Sequence, residues 1–549
     1  MTTEQLAVSS HSSRRYFEAL LEWLANRSPW LWRLLAFGLV AGMTALAIRQ
    51  ASINIDGVRY FWLDDDQMIS MRYARNLAEG NGLVWNPGER VEGYSNFLWT
   101  LVMAGVHLLP LPDATTSLAV KLINLGLAFA VLLLAEQLLR RFLPKPGLAL
   151  PAVLLTLALC GDLLYWSANG FETTLLTVIF LGVVVRLLDE EQTGQPRLFT
   201  YLLMGLLPLV RSDALHIWLG AAILAFGISG NRRKTVVYLG VSLALPVVHV
   251  LWRRWYYGDW LPNTYYLKVY GIKGLPRIGL GYVRFFVHSY AVALLLAVVG
   301  AFLAAQRRWW LLLAGVGITM GYSVMIGGDI FEFSRFFAHE VPVILVLAAV
   351  TAVQFGARWN PVGSFIVLAA LVVSTLAGAG VLYPDKIYTR NGALEYSTVA
   401  GVLIDRYTAQ DARVAVIAAG GVPYFGRRYS IDMLGKSDPV IAERAPTCCN
   451  DMIGHNKFDV DYSLSKHPDL FVPMLSDELN QFDWWLEYQE RRYGMSYNIA
   501  VVRNETFRKE YLPNPVGIEY LLEVIPIYVR SDSPEMARYR DWQAPLVER

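Results

Sequence analysis

Runs of roughly 15–20 apolar residues, separated by short charged loops, recur along the first two thirds of this chain. A run of that length can satisfy every backbone hydrogen bond only as a helix if it lies in lipid. That restricts the fold to a polytopic α-helical membrane protein, with segments near 34–49, 118–139, 147–165, 172–188, 199–210, 214–229, 235–252, 286–305, 309–326, 339–356 and 362–382. A mean hydropathy of +0.36, with 55% apolar and 17% charged residues, excludes an ordinary soluble domain. A net charge of +2 without a long basic tract gives no footing for nucleic acid.

Basic residues set the expected orientation. Arg14, Arg15, Arg27 and Arg33, Arg140-Arg141 with Lys145, Arg232-Arg233-Lys234, Arg307-Arg308 and Arg358 all fall on the cytoplasmic side if segment 97–111 does not span. That segment, closed by Pro110 and Pro112, would rise only about 22 Å as a helix, short of the roughly 30 Å hydrocarbon core. It reads as a re-entrant or interfacial helix. Eleven spans follow, with an inner N-terminus and an outer C-terminus; no cleavable signal peptide is expected. Residues 1–33 form a cytoplasmic amphipathic N-terminus, 34–383 a membrane domain with an outer loop at 50–117, and 384–549 a polar α/β domain on the outer face. In that domain 414–418 and 470–473 read as strands, and 400–409 and 482–493 as helices. Of three cysteines, Cys160 lies in a span and the adjacent Cys448-Cys449 pair reads as free thiols.

Five loops then share the outer side: 50–117, 161–173, 211–213, 252–284 and 327–340. The first carries Asp64-Asp65-Asp66, and Ile69, Tyr73 and Leu77 recur four apart before Gly80-Asn81-Gly82, the pattern of an amphipathic helix with a glycine stop. Asp66 can simply cap that helix. Three packed acids also repel one another and raise at least one pKa, which suits a general base near neutral pH. Asp65 or Asp66 is placed to take a proton from an acceptor hydroxyl; Arg72 and Arg75 lie one or two turns on. The 253–284 loop holds six basic residues against one acid, an outer-side excess that suits a lipid phosphate, with Asn263 and Lys268 among its candidates. Most of its Trp and Tyr residues read as interfacial anchors. In Gly327-Gly328-Asp329 through Arg335 to His339, Asp329 and Arg335 either pair or serve the site: Arg335 and His339 clamping a phosphoester, Asp329 orienting a sugar hydroxyl. Arg211 and Asp213 interrupt an apolar run and are candidates by that fact. Glu172 and the diglycine Gly420-Gly421 are weaker signals. No spaced His/Cys set and no nucleotide-type glycine loop appears, so no cofactor is indicated and a divalent cation rests on the acid cluster alone.

Asp65-Asp66 ahead of Ile69-Ser70 and Arg72-Tyr73-Ala74-Arg75-Asn76-Leu77, with Gly82-Leu83-Val84-Trp85-Asn86-Pro87-Gly88 and Arg90-Val91-Glu92-Gly93-Tyr94-Ser95-Asn96, resembles the bacterial terminal arabinofuranosyltransferases of the GT-C superfamily. Tyr256 to Thr264 and Gly327-Gly328-Asp329 with Arg335-Phe336 are similar to two further family blocks in the same order. Arg211-Ser212-Asp213 is similar to an Arg-Pro-Asp segment, and Ile431 to Gly435 and Gly454-His455 to short patches of the family's soluble domain. The resemblance implies many membrane helices plus a periplasmic or extracellular domain, in a bacterial cytoplasmic membrane. It implies a decaprenyl- or undecaprenyl-phospho-arabinofuranose donor and a glycan or protein acceptor: arabinan, lipopolysaccharide or pilin. The catalytic acid it implies matches Asp65 or Asp66; a third acid and Gln67 depart from the family pattern.

The expected function is transfer of D-arabinofuranose from lipid to a cell-surface acceptor, with Asp65 as base and Asp66 in support or in its place. Asp64, Arg72, Arg75, Arg211, Asp213, Asn263, Lys268, Asp329, Arg335 and His339 bind substrate. A base favours inversion and a carboxylate nucleophile retention; both stand. The alternatives are a flippase for a lipid-linked sugar, which would carry polar residues through the bilayer or an internal repeat, a GT-C transferase for another sugar, and a scaffold with a decayed site.

Overall fold

The computed structural model describes residues 27–331, 333–356, 361–379, 392–447, 453–473, 497–512, 515–520, 523–538, 542 and 547–548. Arg14, Arg15, Arg358, the Cys448-Cys449 pair and the expected helix 482–493 lie outside them. Every one of the eleven apolar segments contains helix. Among the described residues, Pro29–Gln50, Asp113–Phe142, Arg232–Tyr257 and Arg307–Ile326 are long and apolar enough to cross a membrane, and two bent pairs bring the number to six. Thr173–Thr193 is as long but carries more charge, with Arg186, Asp189 and Glu190, and the other apolar helices are shorter, among them Leu198–Val210 and Leu215–Ile228. Leu295, Phe302, Met325, Ile366 and Val373 are exposed on these helices, the outward apolar face of a polytopic membrane protein.

Two segments depart from straight spans. The expected span 147–165 breaks between Ala149–Ala158 and Gly161–Ala168 with a 44° bend. There the Gly161 amide donates to the Ala379 carbonyl at 3.2 Å, and a side chain at 161 would collide with that oxygen and Phe333. The expected span 286–305 is the second arm of an 80° corner between Leu275–Ser289 and Ala291–Ala304. Segment 97–111 forms the short helix Phe97–His107.

One end of the bundle is closed by ion pairs: Arg33 and Arg140 with Glu136, Arg141 with Asp189, Arg308 with Glu191. At the other end the five loops converge. The aspartate helix runs Asp65–Ala78 and stops at Gly80, at φ +84°. It is not the half-exposed helix its pattern suggests: residues 67–76 are all buried. The polar domain covers it. A five-stranded sheet is ordered β4 (Tyr429–Asp432), β3 (Arg413–Val416), β5 (Leu470–Val472), β7 (Glu523–Val529), β6 (Pro515–Tyr520), with β3 parallel to β4 and β5 and β7 antiparallel to both neighbours. Alternation along β3 sends Val414 and Val416 into one core with Met71, Tyr73, Ala74 and Trp85, and Ala415 into another with Ile431, Phe471 and Phe507. A continuous apolar core therefore joins the aspartate helix to the sheet. β8 (Val547–Glu548) returns to pair with β1 (Ser52–Ile55), itself hairpinned to β2 (Val58–Phe61) beside the aspartates.

Candidate functional site

The three aspartates cap one helix but face different partners. The Asp64 side chain accepts the Asp66 amide at 3.2 Å, the N-cap bond that starts the helix. Asp65 Oδ1 accepts the Gly420 and Gly421 amides at 3.1 and 3.0 Å. A Cβ at Gly420 would overlap the Asp65 carbonyl, so this approach needs glycine. Asp66 Oδ1 accepts from Lys436 Nζ at 2.8 Å. Their proton affinities diverge accordingly. Burial, with negative Asp66 and Asp65 alongside, pushes Asp64 up to about 7. Burial also raises Asp65, against the pull of Lys436 and the two glycine amides. Burial opposes ionisation of Asp66, yet Lys436, Lys268 and Arg335 outweigh it and hold that carboxyl well below the usual range.

Asp66 lines a polar pocket of about 40 Å³ with Gln67, Ser70, Asn96, Lys268, Arg335 and Lys436. Lys268, Arg335, Ser95 and Thr264 are shared with a cavity of about 810 Å³. That cavity holds Arg211, Asp213 and Asp329 at its polar end and Leu215, Trp218, Leu219, Leu243 and Ile326 along its apolar side. A trough so built fits an amphiphile: charged head toward Asp66, apolar tail along the helices.

Glu172, fully buried, is the hub beneath the pocket. Its Oε1 pairs with Arg335 Nη2 at 2.8 Å and Arg211 Nη1 at 3.5 Å; its Oε2 accepts from Gln67 Nε2 at 3.1 Å. Two arginines are thereby tied to the helix that carries the acids. Arg211 also grips Asp213 through two hydrogen bonds of 2.9 and 2.7 Å, and Asp329 lies 3.6 Å from Arg335. Arg335 Nε and Arg211 Nη1 are buried without a hydrogen bond, although Arg211 Nη1 keeps its ion pair with Glu172. Lys268 has neither a hydrogen bond nor an ion pair among the described residues and faces both cavities.

Five expected substrate ligands sit elsewhere, the first being Asp64, which caps its helix and lines neither cavity. Arg72 spends its guanidinium on Trp85 O, Pro423 O, Ser430 Oγ, Asn86 Oδ1 and Arg428 O at 2.6–3.0 Å, stapling the aspartate helix to the polar domain. Arg75 bonds the Tyr424 carbonyl at 2.5 Å and pairs with Asp113 at 3.3 Å. Asn263 Nδ2 donates to the Gly435 and Lys436 carbonyls at 2.8 and 3.0 Å. His339 is buried against Phe180 and lines neither cavity. Helical spacing placed these groups near the acids; the packed sheet and bundle claim their side chains first.

Lys436 and Gly420-Gly421 are what sequence reasoning passed over or discounted, because they enter from a domain more than 350 residues down the chain. Glu172 was visible only as a plain helix start. Among the described residues no group of three or more His, Cys, Asp or Glu side chains is arranged to hold a metal ion.

The chain is 30% identical over 267 residues to the terminal β-(1→2)-arabinofuranosyltransferase of Mycobacterium tuberculosis, covering 45% of this chain and 42% of that one. It is 28% identical over 232 residues to the enzyme of the same name from Corynebacterium glutamicum, covering 37% and 32%. The chain thus spans less than half the length of the curated relatives it matches. A family described as a domain of unknown function, DUF8728, matches residues 386–513. Among solved structures it is similar to the apo Archaeoglobus fulgidus oligosaccharyltransferase (TM-score 0.53, 10% identity, 88% of this chain and 73% of that one). It is also similar to ArnT of Cupriavidus metallidurans bound to undecaprenyl phosphate (TM-score 0.51, 11% identity, 79% and 92%). The chain shares its fold with these two proteins, and the resemblance to terminal arabinofuranosyltransferases drawn from the motifs is borne out by the curated relatives.

Proposed function

We propose that this chain is a membrane glycosyltransferase that moves a pentose, D-arabinofuranose, from a decaprenyl- or undecaprenyl-phosphate donor to a glycan or protein acceptor. The observation that carries this reading is the joined pair of cavities, an apolar trough leading past Arg211, Lys268 and Arg335 to Asp66. Support for the sugar comes from the names of the two curated relatives, and for the lipid phosphate from the undecaprenyl phosphate bound to ArnT. The eleven-helix count, with the ion-paired end cytoplasmic and the site and polar domain outside, follows from the basic residues at that end.

Asp66 rather than Asp65 is the base in this account, because Asp66 lines the pocket while Asp65 is turned toward Gly420 and Gly421. Held ionised, Asp66 receives the proton of an acceptor hydroxyl as that oxygen bonds to the anomeric carbon. The bond from that carbon to the phosphate oxygen breaks with its electron pair on the phosphate. The cations stabilise the charge that develops there. Asp65 fixes the loop and is a positioning residue.

The test uses purified full-length protein, polyprenyl-phospho-arabinofuranose and a small arabinoside, with product read by mass spectrometry. Asp66→Asn should lose product by about 100-fold or more while still binding polyprenyl phosphate, the range for removal of an acid–base group. Wild-type turnover by Asp66→Asn would sink the assignment.

A further inference from the structure

Lys436 receives more structural support than an ion-pair partner needs. Its loop leaves β4 at Asp432, whose carboxylate accepts the Leu434, Gly435 and Ser437 amides at 3.0, 3.1 and 2.6 Å. Asn263 holds the Gly435 and Lys436 carbonyls from a membrane-side helix. Gly93, in the first loop, lies so close that a Cβ there would collide with Ser437 Oγ and the Lys436 carbonyl. Three chain segments thus fix the lysine backbone, leaving a buried side chain, 9% exposed, aimed at Asp66.

Of the charged side chains that line the small pocket, Lys268, Arg335 and Lys436 meet one acid, Asp66; Arg335 is already paired with Glu172, and Lys268 has no ion pair among the described residues. An ammonium offers three donors, and among the described residues it makes one hydrogen bond, to Asp66. The small pocket, about 40 Å³, opens beside the larger cavity, and Lys268 and Arg335, which border both, put a phosphate group at the boundary between them.

We propose that Lys436 is a phosphate ligand that exchanges partners: paired with Asp66 in the empty site, it turns to the phosphate of the lipid when the site fills and frees Asp66 Oδ1 for the acceptor hydroxyl. This deepens the reading under Proposed function and rests on it. The polar domain then completes the catalytic centre, and the base is bare only when a donor is present. The apolar side of the larger cavity commits the ligand to a lipid phosphate rather than a free one.

The exchange makes a prediction that a static salt bridge does not. Removing the acid should help the phosphate, because Lys436 no longer has a competing partner. Binding of undecaprenyl phosphate to the full-length protein in detergent is measured for wild type, Lys436→Gln, Lys436→Arg, Asp66→Asn and the double variant Asp66→Asn/Lys436→Gln. Lys436→Gln should weaken binding about tenfold, as loss of one charge-assisted hydrogen bond does. Lys436→Arg should restore most of it. Asp66→Asn should tighten binding severalfold, and the double variant should lose that gain. Lys436→Gln binding as wild type does, or a gain in Asp66→Asn that survives in the double variant, overturns the proposal while leaving the transferase reading intact. Wild type binding no lipid phosphate overturns both. A gain seen with inorganic phosphate and absent with the lipid overturns the assignment to a lipid ligand.

Discussion

Replacing Arg72 by lysine keeps the charge and most of the length yet removes the fork, and the structure says what that costs. The guanidinium makes five hydrogen bonds, three of them to the main-chain carbonyls of Trp85, Pro423 and Arg428. An ammonium has three donors, so at least two partners lose theirs in a buried setting. At roughly 1.5–3 kcal/mol for each bond to a charged group, the change costs about 3–6 kcal/mol. That is a large part of the 5–15 kcal/mol that holds a typical domain together. The loss falls on the seam between the aspartate helix and the sheet, since Pro423, Arg428 and Ser430 belong to the polar domain and Trp85 and Asn86 to the first loop. Arg72→Lys should therefore unfold at a lower temperature in detergent. Amide exchange should rise at 82–96 and 423–430, while undecaprenyl phosphate affinity changes little in the fraction that stays folded. Wild-type thermal stability with a specific loss of lipid affinity would refute the reasoning and return Arg72 to the donor site.

Two further perturbations follow from the same geometry. Asp64, pushed up to about 7 by burial, keeps its proton in the folded state over a range in which the unfolded chain, at an ordinary value near 4, has released it. Stability should accordingly fall as pH rises from about 4 to 7. Asp64→Asn, which retains the capping oxygen, should gain over wild type at pH 8 and match it at pH 4–5 in thermal melts. A pH-independent difference would remove Asp64 as the cause. Gly420→Ala pushes a methyl group onto the Asp65 carbonyl and carboxylate. Turnover should drop, by up to the about 100-fold that a misplacement of about 1 Å costs, with the sheet intact by circular dichroism; normal turnover would show that the diglycine contact does not position the acids.

The bundle and the sites of its loops were legible because lipid imposes one simple rule, long apolar helices, and because a cluster of acids beside a span has few structural uses. The aspartate helix was readable from its spacing and glycine stop. Its burial was not: the core that covers it comes from Val414, Val416, Val399 and Leu403, and local periodicity carries no trace of a partner that distant. The same limit explains the roles. Arg72 and Arg75 stood at the right helical spacing from the acids, but spacing along a helix does not say which face meets the ligand and which meets a second domain. Lys436 follows the patch Ile431 to Gly435 with nothing in its local pattern to mark it, and only the Asp432 turn, read in three dimensions, shows its backbone as held. Glu172 begins a helix as acids often do, and its two arginines arrive from segments 39 and 163 residues away.

The measurement that bears most directly on the central claim is turnover by the wild-type protein in detergent, with an arabinoside acceptor. Polyprenyl-phospho-arabinofuranose is offered against the same lipid carrying a hexose. The account predicts a pentosylated product, polyprenyl phosphate released in equal amount, and little product from the hexose donor. Lipid phosphate bound without any transfer from either donor, across glycan and peptide acceptors, would contradict it.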